Sequence, residues 1–122
     1  MRKLAPMGLL FLVLLFGCSK MTLEEQAENV LSNYLSALEN HDINALVKYS
    51  DDLRFPDKSV QKENYLDIEH TNPIAKIIEL QSISPTEFEA TVEIVEEDGQ
   101  LELTLPIQQK KNKWKVIVGQ DL

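Results

Sequence analysis

The chain has 122 residues, 43% of them hydrophobic, and carries 20 acidic against 12 basic side chains for a formal net charge of −8. A surface that acidic cannot neutralise phosphates over an extended footprint, which argues against a nucleic-acid partner. Its one cysteine excludes an internal disulfide, so about 105 residues beyond the N-terminal apolar run must form one domain whose core holds the fold unaided.

Arg2 and Lys3 are followed by the apolar run Gly8 to Phe16, then Gly17 and Cys18. Residues 4–16, interrupted by Pro6 and Gly8, are too short to cross the hydrocarbon of a bilayer, which takes about 20 apolar residues. A charged start, an apolar centre and a small residue at the end form the layout of a secretory signal. The stretch Leu15-Phe16-Gly17-Cys18 resembles the lipobox of bacterial lipoproteins, departing from it at Phe16, where a small or β-branched residue is usual. The resemblance covers residues 1–19. It implies that 1–17 is a cleaved signal peptide, that Cys18 receives a diacylglycerol thioether, and that 18–21 is a lipidated tether for a single domain over 22–122. Cleavage removes two basic residues and no acidic one, leaving a still more acidic domain.

The implied partner is a membrane, reached through the lipid anchor at Cys18. Two acyl chains, each buried methylene giving about 0.8 kcal/mol, hold stably where a single chain is marginal. Ser19 brings no aspartate-type retention signal. The implied location is therefore the extracytoplasmic face of the cell membrane, or the outer membrane of a two-membrane cell.

Thr22-Leu23-Glu24-Glu25 has the form of a capping box. Leu23, Ala27, Val30, Leu31, Tyr34, Leu35 and Leu38 then recur at spacings of three and four, which predicts an amphipathic helix over 23–39. Asp42 is placed to cap a second, short helix carrying Ile43, Leu46, Val47 and Tyr49. Asp51-Asp52 reads as the turn that ends it, because acidic groups disfavour a helix C-terminus. Beyond lie a short strand at Leu53-Arg54-Phe55, a turn at Pro56-Asp57 and a third helix over 59–69 with Val60, Tyr65, Leu66 and Ile68; Asn72-Pro73 stops it.

Residues 74–83 are rich in β-branched side chains, and Glu87 to Ile94 alternates strictly between polar and apolar. Asp98-Gly99 is a favoured two-residue hairpin loop. Closing there sets Ile94 opposite Leu103, Val92 opposite Leu105 and Ala90 opposite Ile107, all apolar pairs. A second hairpin around Lys111-Asn112 sets Ile107 opposite Val116 and Leu105 opposite Val118, with Trp114 on the same face. Pro106 deletes a ladder donor and calls for a bulge or an edge position.

The helix Tyr34-Leu35-Ser36-Ala37-Leu38, the Asp42 turn and the final Trp114-Lys115-Val116 strand resemble the nuclear-transport-factor-2-like fold of ketosteroid isomerases and SnoaL-type proteins. The resemblance spans residues 22–118. It implies an α+β cone, N-terminal helices on a curved antiparallel sheet, with a cystatin-like helix on sheet as the alternative. It also implies a small-molecule pocket, for which Tyr34, Tyr65 and Trp114 are the candidates.

The isomerases of that fold need a carboxylate base facing a tyrosine or a protonated acid. The apolar sheet face running from Phe88 to Val118 carries no titratable group, and a base on the solvent side of a strand does no chemistry. Glu69 and His70 are adjacent on a helix and point to different sides, which favours surface residues over an acid–base pair, and His41 falls in a turn. Asp51, Asp52 and Asp57 lack the alternating spacing and central glycine of a calcium loop. There is no zinc pattern and no phosphate-cradling glycine loop, so no cofactor is implied. Lys110, Lys111, Lys113 and Lys115 read as a solvated hairpin tip before a lipid-headgroup or polyanion contact. Glu89, Glu93 and Glu102 on the outer sheet face allow a monomer or a weak dimer. The expected function is a non-enzymatic envelope binding module for a protein or envelope component. A cone for a small hydrophobic ligand is the alternative, and an isomerase or hydrolase using His70 the further one.

Overall fold

Thr22 starts the first helix as its sequence dictates. Its Oγ1 accepts the Glu25 amide at 3.1 Å, while its own N–H donates to Glu25 Oε1 at 2.9 Å. Those bonds, backbone first, hold the Glu25 carboxyl below its ordinary pKa. Helix α1 runs Leu23–Asn40 and buries Ala27, Val30, Leu31, Tyr34, Leu35 and Ala37 on one face. His41 closes it in the left-handed conformation (φ 54°). Asp42 then caps α2, Ile43–Tyr49, by accepting the Ala45 amide at 3.2 Å. The structure is a computed structural model that describes residues 21–68 and 71–120. The expected signal peptide over 1–17, Cys18 and the pair Glu69 and His70 lie outside the described residues.

The next segment departs from expectation. Asp51-Asp52 is not a turn: Ser50–Asp52 forms strand β1, parallel to the last strand, with Ser50 opposite Val116 and Asp52 opposite Val118. The turn falls instead at Leu53 and Arg54. Three residues are too few to display a strand's alternation, and the pairing that makes them a strand comes from residues more than sixty positions away. Helix α2 hands over directly to β1, with the Ser50 hydroxyl donating to Leu46 O at 2.5 Å. Helix α3 spans Lys58–Leu66, capped by Asp57, whose Oδ1 accepts the Ser59 amide at 2.8 Å.

Strands β2 (Ile74–Ser84), β3 (Glu87–Glu96), β4 (Gly99–Lys110) and β5 (Lys113–Val118) complete a five-stranded sheet of order β1-β5-β4-β3-β2. All neighbours but β1 and β5 are antiparallel. Register shifts at Ile77/Glu79 and Ser82/Ser84 mark bulges in β2, the device that bends a sheet. Three helices on this curved, mixed sheet make the fold α+β.

The first hairpin closes two residues away from its expected register. Its loop is Glu97 and Asp98, so Ile94 pairs with Leu101, Val92 with Leu103, Ala90 with Leu105 and Phe88 with Ile107. Gly99 is extended (φ 159°) and joins the strand rather than taking the left-handed conformation that a type I′ Asp-Gly loop requires. A slip of two leaves every side chain on its face, so the apolar set stays inward. Leu101, at the end of the hairpin, is 55% exposed.

The second hairpin closes as expected around Lys111 and Asn112, both left-handed (φ 52° and 65°), with Ile107 opposite Val116. Leu105 does not pair with Val118, however. The β4–β5 ladder ends at Ile107, one residue before Pro106, and Val118 pairs with Asp52 instead. Pro106 has no N–H to carry the ladder on, and it sits in unbroken register with Glu89 of β3. It therefore occupies a locally unpaired edge and not a bulge. Between α1 and the concave sheet face lie the fully buried Leu31, Val92, Ile107 and Val116.

Candidate functional site

Beyond Pro106, β4 has no partner towards β5, and the cone opens there. Tyr34 and Leu38 of α1 face Ile94 of β3 across this opening, and together they divide it. On one side is a cavity of about 270 Å³ bounded by Leu103, Leu105, Pro106 and Val118. On the other is one of about 280 Å³ bounded by Ile43, Leu46, Arg54, Tyr65 and Leu101. The lining is predominantly apolar, as small-molecule pockets are.

The polar feature of the second cavity is a closed network. Asp52 is 3% exposed and comes from β1. Its Oδ1 accepts the Arg54 amide at 3.0 Å and Arg54 Nε at 2.9 Å; its Oδ2 accepts Arg54 Nη2 at 2.7 Å and Tyr65 Oη at 2.5 Å. The chain can come this close only because residue 119 is glycine. A Cβ there would lie 2.6 Å from Asp52 Oδ1, and the backbone is left-handed at φ 81°. Beside the network, Gln61 Nε2 donates to Ser50 Oγ at 3.0 Å, leaving its Oε1 buried with no partner among the described residues.

Burial works against ionisation of Asp52, but the hydrogen bonds from Arg54 and Tyr65 outweigh it and hold the carboxyl below its ordinary pKa. The Asp52 hydrogen bond in turn raises the Arg54 pKa. Tyr65 is pushed up to about 12 by burial and by its bond to Asp52. Burial, with the neighbouring Tyr65 and Asp52 charges, raises Tyr34 as well. The carboxylate thus stays ionised with both oxygens filled, and both phenols stay protonated. None of these groups is poised to exchange a proton near neutrality, which general acid–base catalysis requires. What the site offers is a largely apolar cavity whose wall holds Arg54 and Tyr65, both bonded to the buried Asp52 behind it, beside His41, Thr71 and Glu96.

Of the residues singled out from sequence, Tyr34 and Tyr65 line the same cavity. Trp114 is elsewhere. Its ring packs edge-on against Phe88 (centroids 5.7 Å apart, 60°), and its Nε1 donates to Gln26 Oε1 at 2.9 Å, at the other end of α1. There it borders a separate groove of about 350 Å³. The register that sets Trp114 opposite Gln109, near the hairpin tip, carries it away from the opening. His41 borders the second cavity. Sequence reasoning passed over the Asp52–Arg54–Tyr65 network. The available signals were Ser50 and Asp52 two apart, on one side of a strand, and Gln61 and Tyr65 four apart, on one face of a helix. Among the described residues, no cluster of His, Cys, Asp and Glu is arranged to hold a metal ion.

No protein-family model matches the sequence, and no curated protein matches it. Solved structures share its fold. An NTF-2-like protein of unknown function from Silicibacter pomeroyi is 13% identical, covering 76% of this chain and 88% of its own at a TM-score of 0.55. A ketosteroid isomerase-like protein from Erwinia carotovora atroseptica is 16% identical over 76% and 89% of the two chains, at 0.53. An LEH-like epoxide hydrolase from M. tuberculosis is 10% identical over 81% and 82%, at 0.52. The fold is therefore the nuclear-transport-factor-2-like cone. Its three helices and mixed sheet set it apart from a single helix on an antiparallel sheet.

Proposed function

We propose that this chain is an exported lipoprotein, tethered by Cys18 to an extracytoplasmic membrane face, whose cone is a non-enzymatic module binding a small apolar molecule of the envelope. The observation that carries the binding reading is the pair of apolar cavities meeting at Tyr34, Leu38 and Ile94. The saturated Asp52 carboxylate argues against turnover, since a base whose oxygens are already filled has no free site for a substrate proton. Two structurally similar proteins are described as an epoxide hydrolase and a ketosteroid isomerase-like protein, so cones of this fold do serve small molecules elsewhere.

The test is titration of the full chain with an apolar naphthylamine dye. Enhanced fluorescence saturating at one dye per chain, and lost in Ile94→Phe, supports the reading. Equal enhancement in the variant contradicts it.

A second reading is favoured by the rim of the second cavity, where Ile68 (57%) and Leu101 (55%) are exposed. An apolar rim of this kind suits an envelope protein that caps the mouth. Chemical crosslinking in the membrane separates the two, because a protein partner yields a crosslinked species and a small ligand yields none.

A further inference from the structure

At the opposite end of α1 the surface changes character. The pairing of Lys110 with Lys113, with Lys115 two residues on, meets Lys48 of α2 and Lys58 of α3. Asp51 serves as counter-charge to two of the five, at 3.0 Å from Lys58 Nζ and 3.7 Å from Lys110 Nζ. Lys115 Nζ donates to the Lys48 carbonyl at 2.5 Å. Burial, then the nearby Lys58, lowers the Lys115 pKa; Asp51 pulls the other way, and Lys113 and Lys48 add to the lowering. Among the described residues Asp51 is the one carboxylate salt-bridged to these five lysines, while Glu24, Glu25 and Glu28 stand on the first turns of α1 at the same end.

Between these lysines and α1 runs the groove of about 350 Å³, bordered by Met21, Tyr49, Trp114, Lys48, Lys113 and Lys115. From α1 it receives the neutral side chains Gln26, Asn29 and Asn33, while Glu24, Glu25 and Glu28 do not border it. Gln26 Nε2 donates to Met21 O at 3.0 Å and fixes the point where the chain arrives from Cys18. Three residues span at most about 10 Å. A diacyl anchor on Cys18 therefore keeps the headgroup layer within reach of this groove.

We propose that this groove seats anionic phospholipid headgroups of the membrane that carries the chain, so that the domain stands lysine face down. The inference rests on the lipoprotein reading above. Lysine ammoniums meet lipid phosphates while their alkyl stems lie along the interface beside the half-buried Tyr49, with the buried Trp114 ring directly behind the groove. Helix α1, 18 residues and so about 27 Å long, then lifts His41 and the cavity rim away from the bilayer. The cone in this posture takes its ligand from the aqueous side and not from the membrane beneath.

Trp114 is the chain's single tryptophan and reports on this face directly. The lipidated full chain is reconstituted into vesicles of phosphatidylcholine alone or of equimolar phosphatidylcholine and phosphatidylglycerol, each carrying nitroxide-headgroup lipid. Flotation with the neutral vesicles tests the tether by itself. Docking predicts severalfold stronger Trp114 quenching in the anionic vesicles, reversed by high salt and by the double variant Lys48→Glu/Lys113→Glu, and kept by Lys62→Glu/Lys76→Glu. Quenching equal in both vesicles, or unchanged in the Lys48/Lys113 variant, overturns the docking and leaves the tether standing. A chain that floats with neither vesicle overturns both.

Discussion

Tyr65 Oη donates to Asp52 Oδ2 at 2.5 Å, joining the helix with the weakest sequence signal to a three-residue edge strand. The helix α3 buries only Gln61 and Tyr65, so this bond and that of Gln61 to Ser50, together with Lys58 reaching the Ser50 carbonyl and Asp51, fix it against β1. The wall of the second cavity depends on that attachment, because Tyr65 and Arg54 both belong to it.

Tyr65→Phe keeps the ring and removes one donor from a buried carboxylate. Hydrogen bonds to charged groups contribute about 1.5–3 kcal/mol, and a loss of that order in urea unfolding is expected. Asp52→Ala should cost more, since it strands Arg54 and Tyr65 together. A Tyr65→Phe protein as stable as the parent would remove the network from the account.

The same network sets an acid limit. An unfolded aspartate titrates near 3.9, whereas native Asp52 titrates lower. Above that value both states are ionised and the stabilisation is fully present. As pH falls below it the unfolded chain takes up a proton that the native one refuses, so stability declines until the native pKa is passed. Melting temperatures between pH 6 and 2 should fall less steeply for Asp52→Asn than for the parent, from a lower starting point. Parallel curves would contradict this.

Gly119→Ala introduces a Cβ 2.6 Å from Asp52 Oδ1 at a left-handed residue. The conformation alone costs about 1–2 kcal/mol for a residue with a side chain. A thermal melt should show at least that loss, together with weakened dye binding, because Asp52 and Arg54, whose Nε would lie 3.1 Å from the new Cβ, must both shift.

Cys18→Ser should leave the domain folded and release it from the membrane fraction, since the anchor belongs to residues outside the described fold. Intact-mass measurement of the parent should show the diacylglycerol addition on a chain beginning at Cys18. A parent that retains residues 1–17 without lipid would contradict the tether.

Local signals carried most of the architecture from the sequence. The capping box and apolar stripe of α1 are encoded within four residues of one another, and the alternation of β3 within eight. Hairpin register was harder: Asp98-Gly99 satisfies a turn rule, but the backbone of Gly99 follows the strand, and a slip of two is invisible to a pattern of period two. The candidate site was least legible. Asp52 looks like any solvated acid in Asp51-Asp52, and its burial arises from Tyr65 thirteen residues on and Gly119 far beyond. The neighbouring first cavity borders the point where β4 and β5 part at Pro106, a misfit the sequence marks without showing what it opens.

Ligand binding in the cone is read directly by native mass spectrometry of the full lipidated chain, extracted in mild detergent from its own envelope, beside Ile94→Phe. An apolar adduct of defined mass is expected on the parent and absent from the variant, while both melt at similar temperatures. A parent that carries no adduct, or a variant that keeps it, would contradict binding in the cone.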